Sequence, residues 1–559
     1  MREEAARADR RDRTPARHRA PLLCSPLPAP PRPGERPGEN PPEKHTDPLE
    51  TAHPRMHVPS FHSRRVRAVG PLCGGVRDTV GQSIRTGGGR GRADCGYPIA
   101  GADDSCAVAN TAIEQRRGFD MPRFDTVIRS RQVATPAGVE PASVGISAGS
   151  IVSVGDYRAP GTAQHDVDLG DTALLPGGVD VDAAVQAPGQ DLREGYAATA
   201  TAAVRAGVTT LVVSSPARPA LTGEAGLHAH LAAAAESRAR VAFLGAVTAA
   251  STPADLAELR AAGAVGFHCS LSDGAGPDSS RLDDARLRKA MMELAALEAP
   301  LVVHAEDACE LSEPQGSGLS ALLEARPARA ERRGVERLVA AARMAGTRVL
   351  VSPFTAAECA AVLAAARAMG ADISAQTCPH YLCLPAEQVP DDSPAHTCRP
   401  PLRSGPNRNA LWSALLAPCD PVITQVGSGH RPGTGVSAIS WTLSALWTAA
   451  RRRGCDLADL ARWTARAPSE LLGMDRRGRI APGCDADLVA FDPAAEQAVP
   501  ATDPGPYAGR TLAGRVTGTW IEGSGAYGCA LPSAARNRSA VDGGDPLHAA
   551  PDPAAVPPR

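Results

Sequence analysis

Three side chains of the kinds that bind divalent metals stand at the ends of apolar runs: Asp182, His268 and His304. Imidazole nitrogens and a carboxylate suit zinc, and three protein ligands with an open fourth position are enough for a hydrolytic centre. The alternative is that each is a hydrogen-bonded polar group packed into a crowded barrel mouth, with no metal. Residue types alone leave both readings standing. A weaker constellation, Ser428-Gly429-His430, pairs a hydroxyl with an imidazole. Residues two apart have no assurance of facing each other, so serine–histidine chemistry is not assigned.

Such side chains meet only if the chain gathers its strand ends, and the pattern from residue 176 to 477 does this. Apolar strand, polar turn and amphipathic Ala/Leu/Arg helix recur. Strands are expected at 178–184, 209–215, 242–248, 264–271, 301–306, 348–354, 372–377 and 421–426. Helices lie between them, for example at 282–297 and 331–344, with apolar residues recurring at three and four. Eight βα units over roughly 280 residues are what a (β/α)8 barrel requires, and its chemistry sits at the C-terminal strand ends. Short strands are expected before the barrel at 124–129, 144–146 and 151–154, and after it at 488–491 and 516–521. The fold class is therefore α/β: a TIM-like barrel over 176–477, with a small β-sandwich domain built from its two flanks, 121–175 and 478–525.

The 559 residues are 43% hydrophobic but only 3% aromatic, with 54 Gly and 51 Pro. That combination fits a globular body with disordered ends, here 1–118, rich in Arg, Pro and Gly, and 528–559. A net charge of -2 and a pI near 6.7 argue against bulk electrostatic binding to nucleic acid or membrane. No apolar run is long enough to span a bilayer. The 14 cysteines include no C-x-x-C pair, and no apolar leader precedes them, so they read as reduced, mostly buried thiols of a cytoplasmic protein. Lysine is confined to Lys44 and Lys289.

Several collinear segments carry a family resemblance. They are Leu175-Pro176-Gly177-Gly178-Val179-Asp180, Ala206-Gly207-Val208-Thr209-Thr210, Val303-His304-Ala305-Glu306-Asp307, Cys378-Pro379-His380-Tyr381-Leu382, Pro400-Pro401-Leu402-Arg403 and Gly478-Arg479-Ile480-Ala481-Pro482-Gly483. With Cys269 and Pro506-Tyr507-Ala508-Gly509-Arg510, the stretch from Arg123 to Gly523 resembles the cyclic amidohydrolases, and among them the allantoinases. The resemblance implies hydrolysis of a C–N bond in a cyclic amide or ureide by two divalent ions, usually zinc, which polarise the carbonyl and activate a bridging water. It also implies homo-oligomers, or association with an active relative.

The implied ligand set departs from the family's. The His-x-His positions fall on Asp182 and Ala184, the bridging carboxylated Lys on His268, the strand-six His on Ser352, and the strand-eight Asp, also the general base, on Gly429. Only His304 keeps its type. Lys289 lies in a helix and offers no substitute carbamate. Zinc is therefore expected to be absent, or bound weakly as one ion at Asp182, His268 and His304. By resemblance, Gln186, His380 and His430 line the substrate pocket. Two functions follow: a degenerate barrel that binds a cyclic amide or ureide or supports a partner, or an altered hydrolase working with one metal.

Overall fold

The computed structural model describes residues 123–159, 162–214, 218–272 and 281–529. The leader 1–118 expected to be disordered lies outside the described residues, as does the expected tail from 530 onward. Gly528 and Cys529, the first two residues of that tail, are described, and Cys529 Sγ donates to the Thr519 carbonyl (3.3 Å). Among the described residues, sixteen strands make two sheets, each of eight strands. In the barrel sheet, β6 (Gly178–Ala183), β7 (Val208–Val213), β8 (Arg240–Ala246), β9 (Gly266–Ser270), β10 (Leu301–His304), β11 (Val349–Val351), β12 (Ile373–Thr377) and β13 (Ile423–Val426) pair in sequence order. The pairings are parallel throughout. All eight expected strands are present, most of them shorter at an end. β11 stops before Ser352-Pro353, where proline has no N–H to offer the ladder.

The seam between β6 and β13 is closed outside the ladder. The Ala184 N–H donates to the His430 carbonyl (3.0 Å). The Ser428 N–H donates to the Asp180 carboxylate (2.6 Å). Strand alternation divides the apolar side chains between two cores. Val181, Val212, Leu244, Val302 and Leu350 form one cluster, the lumen. Leu211, Val213, Phe243, Phe267, Val303 and Val351 belong to a larger one that includes helical residues such as Leu287, Leu294 and Leu338. Those helices, Asp284–Ala296 and Ala328–Ala345, correspond to the two that the periodicity predicts, the first shorter at both ends and the second longer at both. Lys289 is exposed on the first.

The second sheet draws on both flanks of the barrel. Before it come β1 (Arg123–Thr135), β2 (Gly138–Ser147), β3 (Ser150–Asp156), β4 (Thr162–Asp168) and β5 (Ala173–Pro176); after it come β14 (Leu488–Ala498), β15 (Thr511–Ile521) and β16 (Ser524–Tyr527). One hydrogen-bonded path runs β16-β15-β14-β5-β1-β2-β3, with β4 on β1. The flanks join at β5, where Leu175 lies opposite Val489. Ile128, Ile146 and Ile151 from one half of the path share a core with Leu488, Ala490 and Trp520 from the other. The sheet thus bends over itself as a sandwich.

One buried histidine outside the barrel mouth gives a pH test of this packing. On the helix Glu224–Ala234, fully buried His230 contacts the Tyr196 hydroxyl through Nδ1 (2.7 Å) and the Pro219 carbonyl through Nε2 (2.9 Å). A carbonyl only accepts, so Nε2 carries the proton and Nδ1 accepts from the hydroxyl. Burial lowers the His230 pKa from its ordinary 6.5, outweighing the bond to Pro219, which raises it. The unfolded chain therefore binds the extra proton first. This contribution to stability is complete above pH 6.5 and is lost as pH falls below it, by up to about 1.4 kcal/mol per pH unit. Melting temperatures of wild type and His230→Gln between pH 7.5 and 5 check this. The variant is expected to show the shallower acid decline, and equal slopes would refute the assignment.

Candidate active site at the barrel mouth

Alternation turns His268 and His304 into the lumen: they stand two residues beyond Gly266 and the lumenal Val302 on β9 and β10. Ser352, two beyond lumenal Leu350, does the same. Asp182 arrives differently. It follows the lumenal Val181, so regular pleating would turn it outward. The β6–β7 register shifts between Val181 and Ala183, and Asp182 takes a left-handed φ of 70°. A non-glycine residue there costs on the order of 1 kcal/mol or more, which the surrounding contacts must offset.

Those contacts are numerous. The Asp182 carboxylate accepts from the Ser214 hydroxyl at Oδ1 and from the Ser352 hydroxyl at Oδ2 (3.0 Å). Arg431 Nη2 lies 2.8 Å from Oδ1, and Arg431 Nη1 donates to the Asp182 carbonyl. Ser352 accepts in turn from Gln376 Nε2 (2.9 Å), which also donates to the Val181 carbonyl (2.9 Å). Gln425 Nε2 donates to Gln376 Oε1 (2.9 Å). Ends of β6, β7, β11, β12 and β13 are therefore tied together by one polar network. Burial raises the Asp182 pKa, but the charges of Arg431 and His268 and the two serine hydroxyls outweigh it, so the carboxyl is held below its ordinary range.

The sequence-predicted residues are distributed around this network. His268 Nε2 is 3.9 Å from Asp182 Oδ1, too far for a hydrogen bond. Burial pushes its pKa down to about 4. His304 Nε2 meets Glu306 Oε2 at 2.8 Å, and Glu306 is also gripped by Arg326. Gln186 donates its amide to the Gln190 carbonyl (2.6 Å), bracing its own loop. His380 and His430 are buried, each with Nδ1 unpartnered among the described residues. Burial lowers their pKa values to about 3 and about 4. Both imidazoles are therefore neutral at pH 7. Arg431, Ser214, Gln376 and Gln425 escaped the sequence reading, although two glutamines within apolar strands were a visible signal.

The donors present do not fit the two metals implied by resemblance. Both Asp182 oxygens are engaged, one of them by a cation. Ala184 has no donor, Ser352 is committed between Asp182 and Gln376, and Lys289 is on the surface. Gly429 carries no carboxylate and has no room for one. A Cβ there would lie 2.7 Å from Cys378 Sγ and 2.8 Å from His380 Cε1, at a φ of +63°. Among the described residues, no group of three or more His, Cys, Asp or Glu side chains is gathered for an ion.

Comparison with known proteins places this barrel. The model of the amidohydrolase family matches residues 168–525. The allantoinase of Streptomyces avermitilis is 36% identical over 431 residues, covering 72% of this chain and 95% of that protein. The allantoinase of Rubrobacter xylanophilus is 32% identical over 431 residues, covering 72% and 94%. Among solved structures, the L-hydantoinase (dihydropyrimidinase) of Arthrobacter aurescens matches with a TM-score of 0.66 at 21% identity, covering 72% of this chain and 96% of that one, a likeness of fold. Length and identity together make the chain a member of the amidohydrolase family, an allantoinase-like cyclic amidohydrolase by descent.

Proposed function

We propose that this barrel binds a small neutral cyclic amide or ureide without hydrolysing it by the two-metal route. The observation that carries the proposal is the saturation of Asp182 by Arg431, Ser214 and Ser352, together with a glycine at position 429, where the family's general base would stand. Without a carboxylate at position 429, no group there can take a proton from an attacking water. His380 and His430, pocket residues by resemblance, suit a neutral ligand, because both are held uncharged and each has a buried Nδ1 that is unpartnered among the described residues. A planar ureide offers both N–H and C=O groups to such atoms. Allantoin is the first ligand to try, since the relatives most like this chain are allantoinases.

Isothermal calorimetry of the full chain with allantoin and with hydantoin, alongside an assay for ring-opened product, tests the proposal. The expected result is saturable binding with no turnover above the uncatalysed rate, with or without added zinc. Turnover would overturn it in favour of the altered hydrolase, for which the approach of His268 to Asp182 is the supporting observation. Absence of binding would overturn the ligand and leave the partner-supporting form of the proposal. Its signature is self-association, or a complex with an active allantoinase, on size-exclusion chromatography. Among the described residues no helix is long and apolar enough to cross a membrane.

A further inference from the structure

A buried carboxylate without a counter-charge is costly, and Asp182 is only 3% exposed. Its two serine partners are neutral and so is the amide chain behind Ser352, so hydrogen bonding alone does not balance it. Arg431 does. The guanidinium lies across the seam between β6 and β13. Nη2 meets the Asp182 carboxylate at 2.8 Å, while Nη1 donates to the Asp182 carbonyl and to the His430 carbonyl (3.2 Å). One planar fork thus neutralises the side chain, fixes the left-handed backbone beneath it and staples the last strand to the first. An ammonium could supply the charge but not this geometry.

We propose that Arg431 is a built-in cation: its guanidinium supplies from within the chain the positive charge that the buried carboxylate of the barrel mouth requires, and thereby closes the mouth to divalent metal. A metal approaching Asp182 has to displace a bound guanidinium and then bear its repulsion at close range. The Asp182 carboxylate has its counter-charge before any ligand arrives. The inference rests on the reading of the mouth as a non-hydrolytic site, and adds to it a residue that keeps divalent metal off Asp182.

The test is zinc uptake and thermal stability of the full chain. Wild type is expected to hold no stoichiometric zinc after gel filtration, and added Zn2+ is expected to leave its melting temperature unchanged. In Arg431→Met the carboxylate loses its counter-charge. The melting temperature is expected to fall, and zinc, which then meets only Asp182 Oδ1 and the His268 Nε2 that lies 3.9 Å from it, is expected to raise it again by a few degrees when added at about 100 times its dissociation constant. Asp182→Asn/Arg431→Met removes both charges and is expected to be more stable than Arg431→Met alone and indifferent to zinc. A merely structural arginine would give no zinc response and no rescue by the second substitution. If Arg431→Met does not fold, the double variant supplies the test: Asp182→Asn/Arg431→Met is expected to fold because the unpaired charge is gone, and its failure to fold would overturn the inference. Stoichiometric zinc in wild type that disappears in Asp182→Asn would overturn the inference. So would an Arg431→Met variant that responds to zinc no more than wild type. The proposed function fails separately, through ring-opening turnover by wild type, which none of these measurements reads.

Discussion

Glu331→Ala is expected to destabilise the protein by about 3–5 kcal/mol, the cost of leaving a buried cation unpaired. Glu331 is buried on the helix Ala328–Ala345. Oε1 accepts from the Thr355 hydroxyl (2.5 Å) and from Arg403 Nη2 (2.7 Å). Oε2 accepts from the N–H groups of Thr355 and Ala356, both at 2.9 Å. Removing the carboxylate orphans four donors, one of them the buried guanidinium of Arg403. The damage also reaches the mouth. Residues 352–357 carry Ser352, and Arg403 holds the carbonyl of Arg326, whose side chain grips Glu306 beside His304. Glu331→Gln keeps an accepting oxygen but loses the charge, and is expected to fall between alanine and wild type. Urea denaturation of the three proteins measures the order. A loss below about 1 kcal/mol for alanine, the size of one ordinary hydrogen bond, would show that Arg403 finds another partner.

Restoring the family's carboxylate by Gly429→Asp is expected to fail, at a loss of about 2–4 kcal/mol. The left-handed backbone contributes one part of that, and forced repacking around a new side chain the other. The new Cβ meets Cys378 Sγ at 2.7 Å and His380 Cε1 at 2.8 Å. Gly429→Ala introduces only that carbon and is expected to show most of the same loss, which separates the steric cause from the buried charge. Neither variant is expected to gain ring-opening activity with zinc present. A thermal midpoint for Gly429→Ala equal to wild type would show that Cys378 and His380 yield without cost.

The barrel was legible because its signals are local. Each strand is a short apolar run closed by a turn, and each long helix repeats its apolar residues at three and four. The lumenal direction of His268 and His304 follows from the same alternation. The arrangement around Asp182 did not, because it depends on a backbone irregularity and on an arginine at position 431, on the far side of the barrel in sequence. Nothing local marks Arg431: it follows His430 in a turn and looks like any solvated loop residue. β4 escaped for a different reason. Thr162–Asp168 reads as alternating exposed and half-buried positions with few apolar residues. It is held to β1 by a parallel ladder and by the Arg129–Asp166 pair (3.0 Å), interactions that no hydrophobic pattern reports.

The joint at β5 has a consequence for synthesis. Leu175 faces Val489, so a ribosome that has finished every strand of the barrel has not yet made the neighbour that β5 requires. Until β14 emerges, one edge of the first-made strands stands open, with its backbone amides and carbonyls free to pair with whatever strand is nearby. The barrel must therefore mature while tethered to an incomplete clasp. A nascent chain stalled or cleaved before Leu488 would carry a barrel but also an adhesive edge, so the last strands to be translated protect the first.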